Sequence, residues 1–258
     1  MLVRALILIL RGENRLIYGI VCAKNNMSSY TQWKSWDVAD FGVVPDAAAC
    51  YYAKIFDQFF KGDRLPARIL EVGYGNGVFL GWCRLSGYDV SGIEAEQGLI
   101  ERASKAGFNI YNDIERVPNG SLDAIFLFDV LEHIPQDLIA SFLLKLNGVL
   151  KQGGAVVIRT PNGASPLGLA NQHGDPTHVT VVTTTKIHFW AAGVGFDVAY
   201  SGRDLFPIYD GRLLKVPGRL IKLVLRNFIE RVFRFVFSPQ SSGALSANLL
   251  TVLIKSPK

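Results

Sequence analysis

The fold is decided at residues 69–80, which read Ile69-Leu70-Glu71-Val72-Gly73-Tyr74-Gly75-Asn76-Gly77-Val78-Phe79-Leu80. An apolar run typical of a buried strand carries an acidic residue, three glycines follow at alternate positions, and a helical pattern then begins. Such a unit lets a ligand lie against bare backbone at a helix N-terminus. A dinucleotide loop, G-x-G-x-x-G, would need its third glycine at position 78, where the chain has Val78. The spacing argues against a dinucleotide and leaves either another ligand or an ordinary tight turn.

Strand-like and helical patterns alternate outward from this loop, between Arg68 and Tyr200. The alternation predicts an α/β fold with a doubly wound, mostly parallel sheet. Ligands bind outside the carboxyl ends of the strands in such a sheet. Acidic residues stand at or just beyond the ends of predicted strands, and we expect them to meet at one edge of the sheet. They are Glu71, Glu94, Asp113 and Asp129.

The pattern E-x-G-x-G-x-G at 71–77 resembles motif I of the class I S-adenosylmethionine (SAM) methyltransferases. The resemblance covers 69–200 and the final apolar run at 245–254. It implies a Rossmann-like, seven-stranded sheet and SAM as the cofactor, with the loop beneath the amino-acid part of SAM. Glu94 would accept the ribose hydroxyls, and Asp113 with Ile114 would bracket the adenine. The implied cofactor-binding residues are Glu71, Gly73, Tyr74, Gly75, Gly77, Glu94, Asp113, Ile114, Phe128 and Asp129.

A second motif, D-V-L-E-H at 129–133, resembles a segment of methyltransferases of the ubiquinone-biosynthesis and glycan-modifying type. The resemblance implies that Phe128 and Asp129 lie beside SAM, while Glu132 and His133 face the acceptor. The spacing of Asp129, Glu132 and His133 would also suit a divalent ion, and some relatives bind magnesium there. We expect no resident metal. The remaining alternative is that Glu132 and His133 cap the following helix.

A third motif, D-P-T-H at 175–178, resembles a turn of methyltransferases that act on sugars and related hydroxyl compounds. A hydroxyl acceptor has to lose its proton, and a histidine with a pKa near neutrality suits that task. His178 is the first candidate for this catalytic base and His133 the second, with Glu132 beside them. A structural role for both histidines is the alternative. Thr160-Pro161-Asn162 stands in place of the N-P-P-Y motif of amino methyltransferases, which favours oxygen over exocyclic nitrogen.

These motifs together predict a SAM-dependent methyltransferase with a small-molecule acceptor. The preferred acceptor is a hydroxyl of a sugar, glycolipid or quinone-like intermediate. Methylation of carbon or nitrogen on another small molecule is one alternative. A SAM-binding partner protein without catalysis is another, which the presence of Asp129, Glu132, His133 and His178 argues against.

The bulk properties suit one α/β domain with additions, since the chain has 258 residues, a net charge of +5 and a mean hydropathy of +0.23. Charges split the apolar run of 1–27, so it is too short to span a membrane. We expect it to be a start assigned too early, with Met27 first, or a short membrane-facing anchor. Three widely spaced cysteines without metal-ligand spacing indicate a reducing, cytoplasmic location. The predicted units are this extension (1–27), an aromatic helical cap (28–64), the SAM-binding core (65–202), a helical insertion (203–244) and the last strand (245–258).

The segment 219–237 combines a wide apolar face with a basic stripe that includes Arg219, Lys222 and Arg226. This pattern suits a helix in the plane of an anionic bilayer, and hence peripheral membrane contact. It also suits a homodimer interface or a lid over the acceptor pocket. Nucleic-acid binding is not expected, because the basic residues alternate with bulky aliphatic residues and form no open polar patch.

Overall fold

A computed structural model describes residues 34, 36, 40–62, 65–209, 212–237 and 245–257 of the protein. The predicted N-terminal extension, 1–27, lies outside the described residues. The strands are β1 (Arg68–Val72), β2 (Asp89–Ile93), β3 (Asn109–Tyr111), β4 (Leu122–Phe128), β5 (Leu150–Pro161), β6 (Phe196–Arg203) and β7 (Asn248–Lys255). The helices are α1 (Asp46–Phe59), α2 (Val78–Leu85), α3 (Gln97–Lys105), α4 (Ile139–Val149), α5 (Leu169–Gly174), α6 (Thr184–Ala192) and α7 (Val216–Phe237).

The strands form one seven-stranded sheet in the order β3-β2-β1-β4-β5-β7-β6. Strands β1 to β5 pair in parallel, and β7 runs antiparallel to both of its neighbours, β5 and β6. The strand order changes direction between β1 and β4, which is where a crevice opens at the carboxyl ends of the strands. The predicted Rossmann-like, mostly parallel sheet is confirmed, and so is a helix, α7, before the last strand.

The central strands are apolar on both faces because helices cover both sides of the sheet. In β4, Ile125 and Leu127 belong to the core that includes α4, while Phe126 packs on the opposite face toward α1. There the Phe126 ring stacks on Phe56 of α1, with ring centroids 5.5 Å apart. The aromatic helix predicted as a cap is thus anchored in the core by one of its faces.

Two local features differ from what the sequence pattern favours. Residues 151–154 contain adjacent glycines typical of a turn, yet they lie within β5. The register explains this, because Leu122 pairs with Leu150 and Ala124 with Ala155, so the extra residues bulge out of the strand. The short helix α5 has no amphipathic pattern long enough to predict it.

Among the described residues, no helix combines the length and apolarity that crossing a bilayer requires.

Candidate active site

The loop between β1 and α2 turns sharply at Gly73 and Gly75, whose φ angles are +72° and +52°. A methyl group on Gly73 would lie 2.6 Å from Cγ2 of Val130, and one on Gly75 would lie 2.8 Å from the Trp36 indole. A larger residue at either position would therefore be strained and would displace its neighbour. The Gly73 N–H donates to the carbonyl of Ile93 over 2.8 Å, which ties the loop to the end of β2. The loop lies at the carboxyl edge of the sheet, with the Trp36 indole packed against Gly75.

A cavity of about 500 Å³ opens over this loop. Its volume is in the range of small-molecule sites. Its walls come from α1, α5, the ends of β1, β4 and β5, and the segments that carry the second and third motifs. The cavity is lined by these predicted site residues: Glu71, Gly73, Tyr74, Gly75, Glu94, Phe128, Asp129, Glu132, His133 and His178.

Gly77, Asp113 and Ile114, all predicted to bind the cofactor, are not among the residues that line this cavity. A Cβ on Gly77 would lie 2.4 Å from the Phe41 ring, so the absence of a side chain there makes room for Phe41. The Asp113 carboxylate accepts the Glu115 N–H over 3.0 Å and caps a short 3-10 turn. Ile114 is buried in the core beside β4. The roles of these residues toward adenine and the loop stay predictions.

Two buried carboxyl groups, Glu71 and Glu94, line the cavity next to the glycine loop. Oε2 of Glu94 accepts the Gly75 N–H over 3.0 Å, and Oε1 accepts the Ala95 N–H over 2.7 Å. Burial raises the pKa of Glu94, while these backbone donors oppose the rise. Burial, and then the charge of Glu94, raise the pKa of Glu71 well above its usual range. Glu94 thus holds the glycine loop in place, and its Oε1 also accepts the Glu96 N–H over 3.3 Å.

Asp129 adopts a left-handed backbone conformation, with φ of +58°, where β4 ends. Its carboxylate pairs with the Arg159 guanidinium, which donates through both Nε and Nη2. The guanidinium carbon also lies 5.3 Å from the centre of the Phe128 ring and 5.5 Å from that of Tyr51. Asp129 is therefore engaged with Arg159, and among the described residues the group with closely spaced ligand atoms contains Glu132 and His133 but not Asp129.

Backbone hydrogen bonds clamp the second motif to the third. The Glu132 carbonyl accepts the N–H groups of Val179 and Thr180 over 2.9 and 3.0 Å. The Thr180 hydroxyl donates to the Ile134 carbonyl over 2.6 Å. The rings of His133 and His178 consequently meet edge to face, with centroids 4.7 Å apart. Two motifs more than 40 residues apart in the chain thus share one wall of the cavity.

The hydrogen bonds of the two histidines indicate their tautomers. Nδ1 of His178 lies 3.0 Å from the Gln172 carbonyl, which can only accept, so Nδ1 carries the proton and Nε2 keeps its lone pair. The Thr177 hydroxyl donates to Asp175 over 2.5 Å and so accepts from Nδ1 of His133 at 3.0 Å. Burial, and then the neighbouring His178, lower the pKa of His133 to about 4. His133 is therefore neutral near pH 7.

Two carboxyl groups face Nε2 of His178. Oε1 of Glu132 is 3.9 Å away and Oδ2 of Asp175 is 3.8 Å away. Although burial works against it, hydrogen bonds from Thr177 and Lys34 lower the pKa of Asp175 to about 2. Glu132 is fully buried, and burial, followed by the charge of Asp129, raises its pKa well above the usual range. The site therefore holds one ionised carboxylate and one carboxyl group that favours its neutral form.

The Glu132 carboxyl oxygens have no hydrogen-bond partner within the described part of the chain. One ligand atom from each of Glu132, His133 and His178 can be chosen so that all lie within 4.8 Å of one another. Such a set of one carboxylate and two imidazoles can hold a divalent cation. The same atoms can equally bind a hydroxylated ligand.

Sequence reasoning missed several residues that line the cavity. Arg159 directly follows the apolar run 155–158, so the rule that found Asp129 at a strand end would have found it as well. Asp175 is the first residue of the D-P-T-H motif, so the motif itself could have identified it as a candidate site residue. Trp36 and Asn248 carry no local signal, because they reach the cavity only through the tertiary fold.

Comparisons with known proteins agree with this architecture. The sequence model of a family described as "Methyltransferase domain" matches residues 46–201. The ubiquinone biosynthesis O-methyltransferase of Rickettsia prowazekii (strain Madrid E) is 32% identical over 103 residues, which are 37% of this chain and 40% of the relative. The chain thus spans well under half of the length of that curated relative.

Solved structures share the fold. A SAM-dependent methyltransferase from Archaeoglobus fulgidus superposes with a TM-score of 0.59 at 22% identity, over 81% of this chain and 94% of that one. The plantazolicin methyltransferase BpumL, in complex with SAH, has a TM-score of 0.55 at 16% identity, over 90% of this chain and 92% of that one. At these identities the likeness concerns the fold alone.

Proposed function

The chain belongs to the methyltransferase-domain family and uses SAM as its cofactor, and on that premise we propose that it methylates a hydroxyl group of a small molecule. The preferred acceptors are a sugar, a glycolipid or a quinone-like intermediate. The observation that carries the proposal is the cluster of Glu132, His133 and His178 in the wall of the cavity that also contains the glycine loop.

The cofactor side of the cavity fits SAM. Oε2 of Glu71 and Oδ1 of Asn76 are buried without a hydrogen-bond partner among the described residues. An ammonium group such as that of the methionine part of SAM would satisfy these acceptors. The backbone-held carboxylate of Glu94 would accept ribose hydroxyls, and Gly73 and Gly75 of the glycine loop line the same cavity. When bound, SAM supplies a methyl group on its sulfonium sulfur as the electrophile.

His178 is the proposed base. Its Nδ1–H is held by the Gln172 carbonyl, which leaves the Nε2 lone pair to take the proton of an acceptor hydroxyl. The ionised Asp175, 3.8 Å from Nε2, would stabilise the imidazolium that this proton transfer forms. His133 is the weaker candidate, because burial and His178 lower its pKa to about 4 and so make it a poor proton acceptor near neutrality.

The acceptor side of the cavity is polar in a way that suits a hydroxylated ligand. The buried oxygens of Glu132 need donors or acceptors that the described protein does not supply, and a hydroxyl provides both. Asn171 donates to Asn248 over 3.0 Å, and both side chains line this part of the cavity. The name of the curated Rickettsia relative, an O-methyltransferase, supports oxygen as the methylated atom.

Turnover with labelled SAM tests the proposal. The full chain would be incubated with catechol-type quinone precursors, free sugars and glycolipid headgroups, and the products would be analysed by mass spectrometry. We expect a methyl ether with at least one of these hydroxyl acceptors. His178→Gln should lower kcat by about 10²–10⁴-fold while calorimetry shows unchanged affinity for S-adenosylhomocysteine.

His188→Gln is the matched control, because His188 lies on α6 with its side chain exposed. It should retain full turnover. Full turnover by His178→Gln would refute the assignment of His178 as the base. Methylation only on nitrogen or carbon would refute the proposal that the acceptor is a hydroxyl group. Binding of S-adenosylhomocysteine with no product from any acceptor would favour the non-catalytic alternative.

A divalent ion on Glu132, His133 and His178 is the second candidate for activating the hydroxyl, and the proximity of their ligand atoms favours it. In that case chelation by EDTA would abolish turnover and added Mg²⁺, Mn²⁺ or Zn²⁺ would restore it. If His178 acts as a base, chelation leaves turnover unchanged. Metal analysis of the purified protein, together with the variant Glu132→Gln, separates the two mechanisms.

A further inference from the structure

Helix α7 turns three of its charged residues toward the body of the protein and most of its apolar residues to the outside. The residues that face inward follow a spacing of three and four, and several of them are polar. Arg226 donates to the Ser246 hydroxyl over 3.3 Å, and Glu230 pairs with Arg203 of β6. Ordinary surface helices have the opposite arrangement. The inward residues are Val216, Arg219, Leu223, Arg226, Glu230 and Phe233.

The outward face of α7 is continuously apolar. Its side chains are well exposed, with Ile221 at 61%, Phe228 at 63% and Phe235 at 87%. This stripe is far larger than the single exposed apolar residues of ordinary surfaces. The full set is Leu220, Ile221, Val224, Leu225, Phe228, Ile229, Val232, Phe235 and Val236.

The charge of this part of the chain limits what can cover the apolar face. Residues 212–237 contain seven Lys and Arg against one Glu, a surplus of six positive charges. The whole chain has a net charge of +5, so the remaining residues sum to −1. The one acidic residue, Glu230, is already paired with Arg203 and Arg234. A partner of this face should therefore be anionic as well as apolar.

We propose that α7 binds in the plane of an anionic lipid bilayer, with its outward face in the acyl region and its basic residues at the headgroups. An amphipathic helix of this composition binds such an interface through apolar burial and attraction to anionic lipids together. Lys222 and Arg231 are exposed beside the apolar stripe, where long basic side chains reach the headgroup level. A second copy fits less well, because it would place two segments of the same high positive charge against each other.

The attachment of α7 brings this surface near the cavity. Arg226 of α7 donates to the Ser246 hydroxyl, which donates in turn to the Asn248 carbonyl over 2.7 Å. Asn248 lines the cavity. A bilayer held by α7 would therefore lie close to the cavity, which on the proposed function suits an acceptor with a lipid tail. The membrane contact itself does not depend on the proposed methyl transfer.

Flotation of the full chain with vesicles tests the proposal. Vesicles of phosphatidylcholine alone would be compared with vesicles that contain about one third phosphatidylglycerol. We expect binding to the anionic vesicles that weakens at high salt. The triple variant Ile221→Gln/Phe228→Gln/Phe235→Gln should lose binding by more than about 100-fold. Lys222→Gln/Arg231→Gln should weaken binding by about 25-fold, roughly fivefold for each charge.

The matched control is Leu85→Gln/Phe189→Gln, which removes two exposed apolar side chains at 79% and 78% exposure on α2 and α6. It should bind as the unaltered chain does. No flotation of the unaltered chain would overturn the proposal, and so would unchanged flotation of the triple variant, which would place the contact elsewhere. If the triple variant instead converts a dimer to a monomer in analytical ultracentrifugation, the face is an interface between copies, and the proposal is wrong.

Discussion

Lowering the pH from 7 to 4.5 should destabilise the protein through His133. In the folded state burial and His178 lower the pKa of His133 to about 4, while the unfolded chain has the ordinary value of 6.5. Between these values the unfolded chain binds a proton that the folded protein does not, so stability falls as the pH falls. A shift of one pKa unit corresponds to 1.36 kcal/mol, so the loss from this residue approaches about 3 kcal/mol by pH 4.

Urea denaturation of the unaltered chain and of His133→Gln at pH 7, 6, 5 and 4.5 would isolate this effect. Carboxyl groups with raised pKa values, such as Glu71 and Glu94, change stability in the opposite sense over this range. Because they are present in both proteins, their contribution cancels in the difference. We expect the difference in unfolding free energy between the two proteins to shift by about 1.4 kcal/mol per pH unit below pH 6. A constant difference, or an NMR titration of His133 with a midpoint above 6, would refute the buried neutral histidine.

Two further experiments test the geometry around the glycine loop and the end of β4. Gly73→Ala places a methyl group 2.6 Å from Val130 at a positive φ, whereas Gly120→Ala has φ of +60° and open space around its Cβ. Gly73→Ala should therefore lower the free energy of unfolding by about 1–3 kcal/mol more than Gly120→Ala does, as measured by urea denaturation. Equal losses in the two variants would contradict the close packing. A double-mutant cycle with Asp129→Asn and Arg159→Gln should give a coupling of about 1 kcal/mol, since the pair is bidentate but partly exposed. A coupling of zero would show that the two side chains do not act as a pair.

The sheet and the glycine loop could be predicted because their signals are local. A buried strand, alternate glycines and a following helix are contiguous between Arg68 and Leu85, and the same alternation recurs along the core. Acidic residues at strand ends identified Glu94 and Asp129, because every parallel strand of the sheet ends at the same edge. Asp113 also follows a parallel strand, the edge strand β3, but it caps the turn after that strand and is not among the residues that line the cavity, so its role toward adenine stays a prediction.

Contacts that depend on distant segments could not be predicted. The sequence named His178, His133 and Glu132 as one candidate group, but nothing local indicated the contact that joins them, in which the backbone carbonyl of Glu132 accepts the N–H groups of Val179 and Thr180. Trp36 packs against Gly75, and Asn248 accepts a hydrogen bond from Asn171. Both contacts join residues that are far apart in the sequence, so they likewise could not be predicted. The sequence pattern showed that α7 has an apolar face. Only the structure showed that this face points outward and that Arg226 and Glu230 contact the body of the protein.

The two sides of the cavity are built in different ways, and this bears on how the acceptor is chosen. The cofactor side depends on backbone geometry between β1 and the end of β2, where substitution disturbs the fold. The proposed acceptor side is formed by Asn171 of α5, His178 and Asn248 of β7, and Asp204 holds Asn248 through a hydrogen bond of 3.4 Å. None of these three side chains belongs to the glycine loop. Changes at Asn171 or Asn248 should therefore alter which hydroxyl is methylated and leave the binding of S-adenosylhomocysteine unaffected.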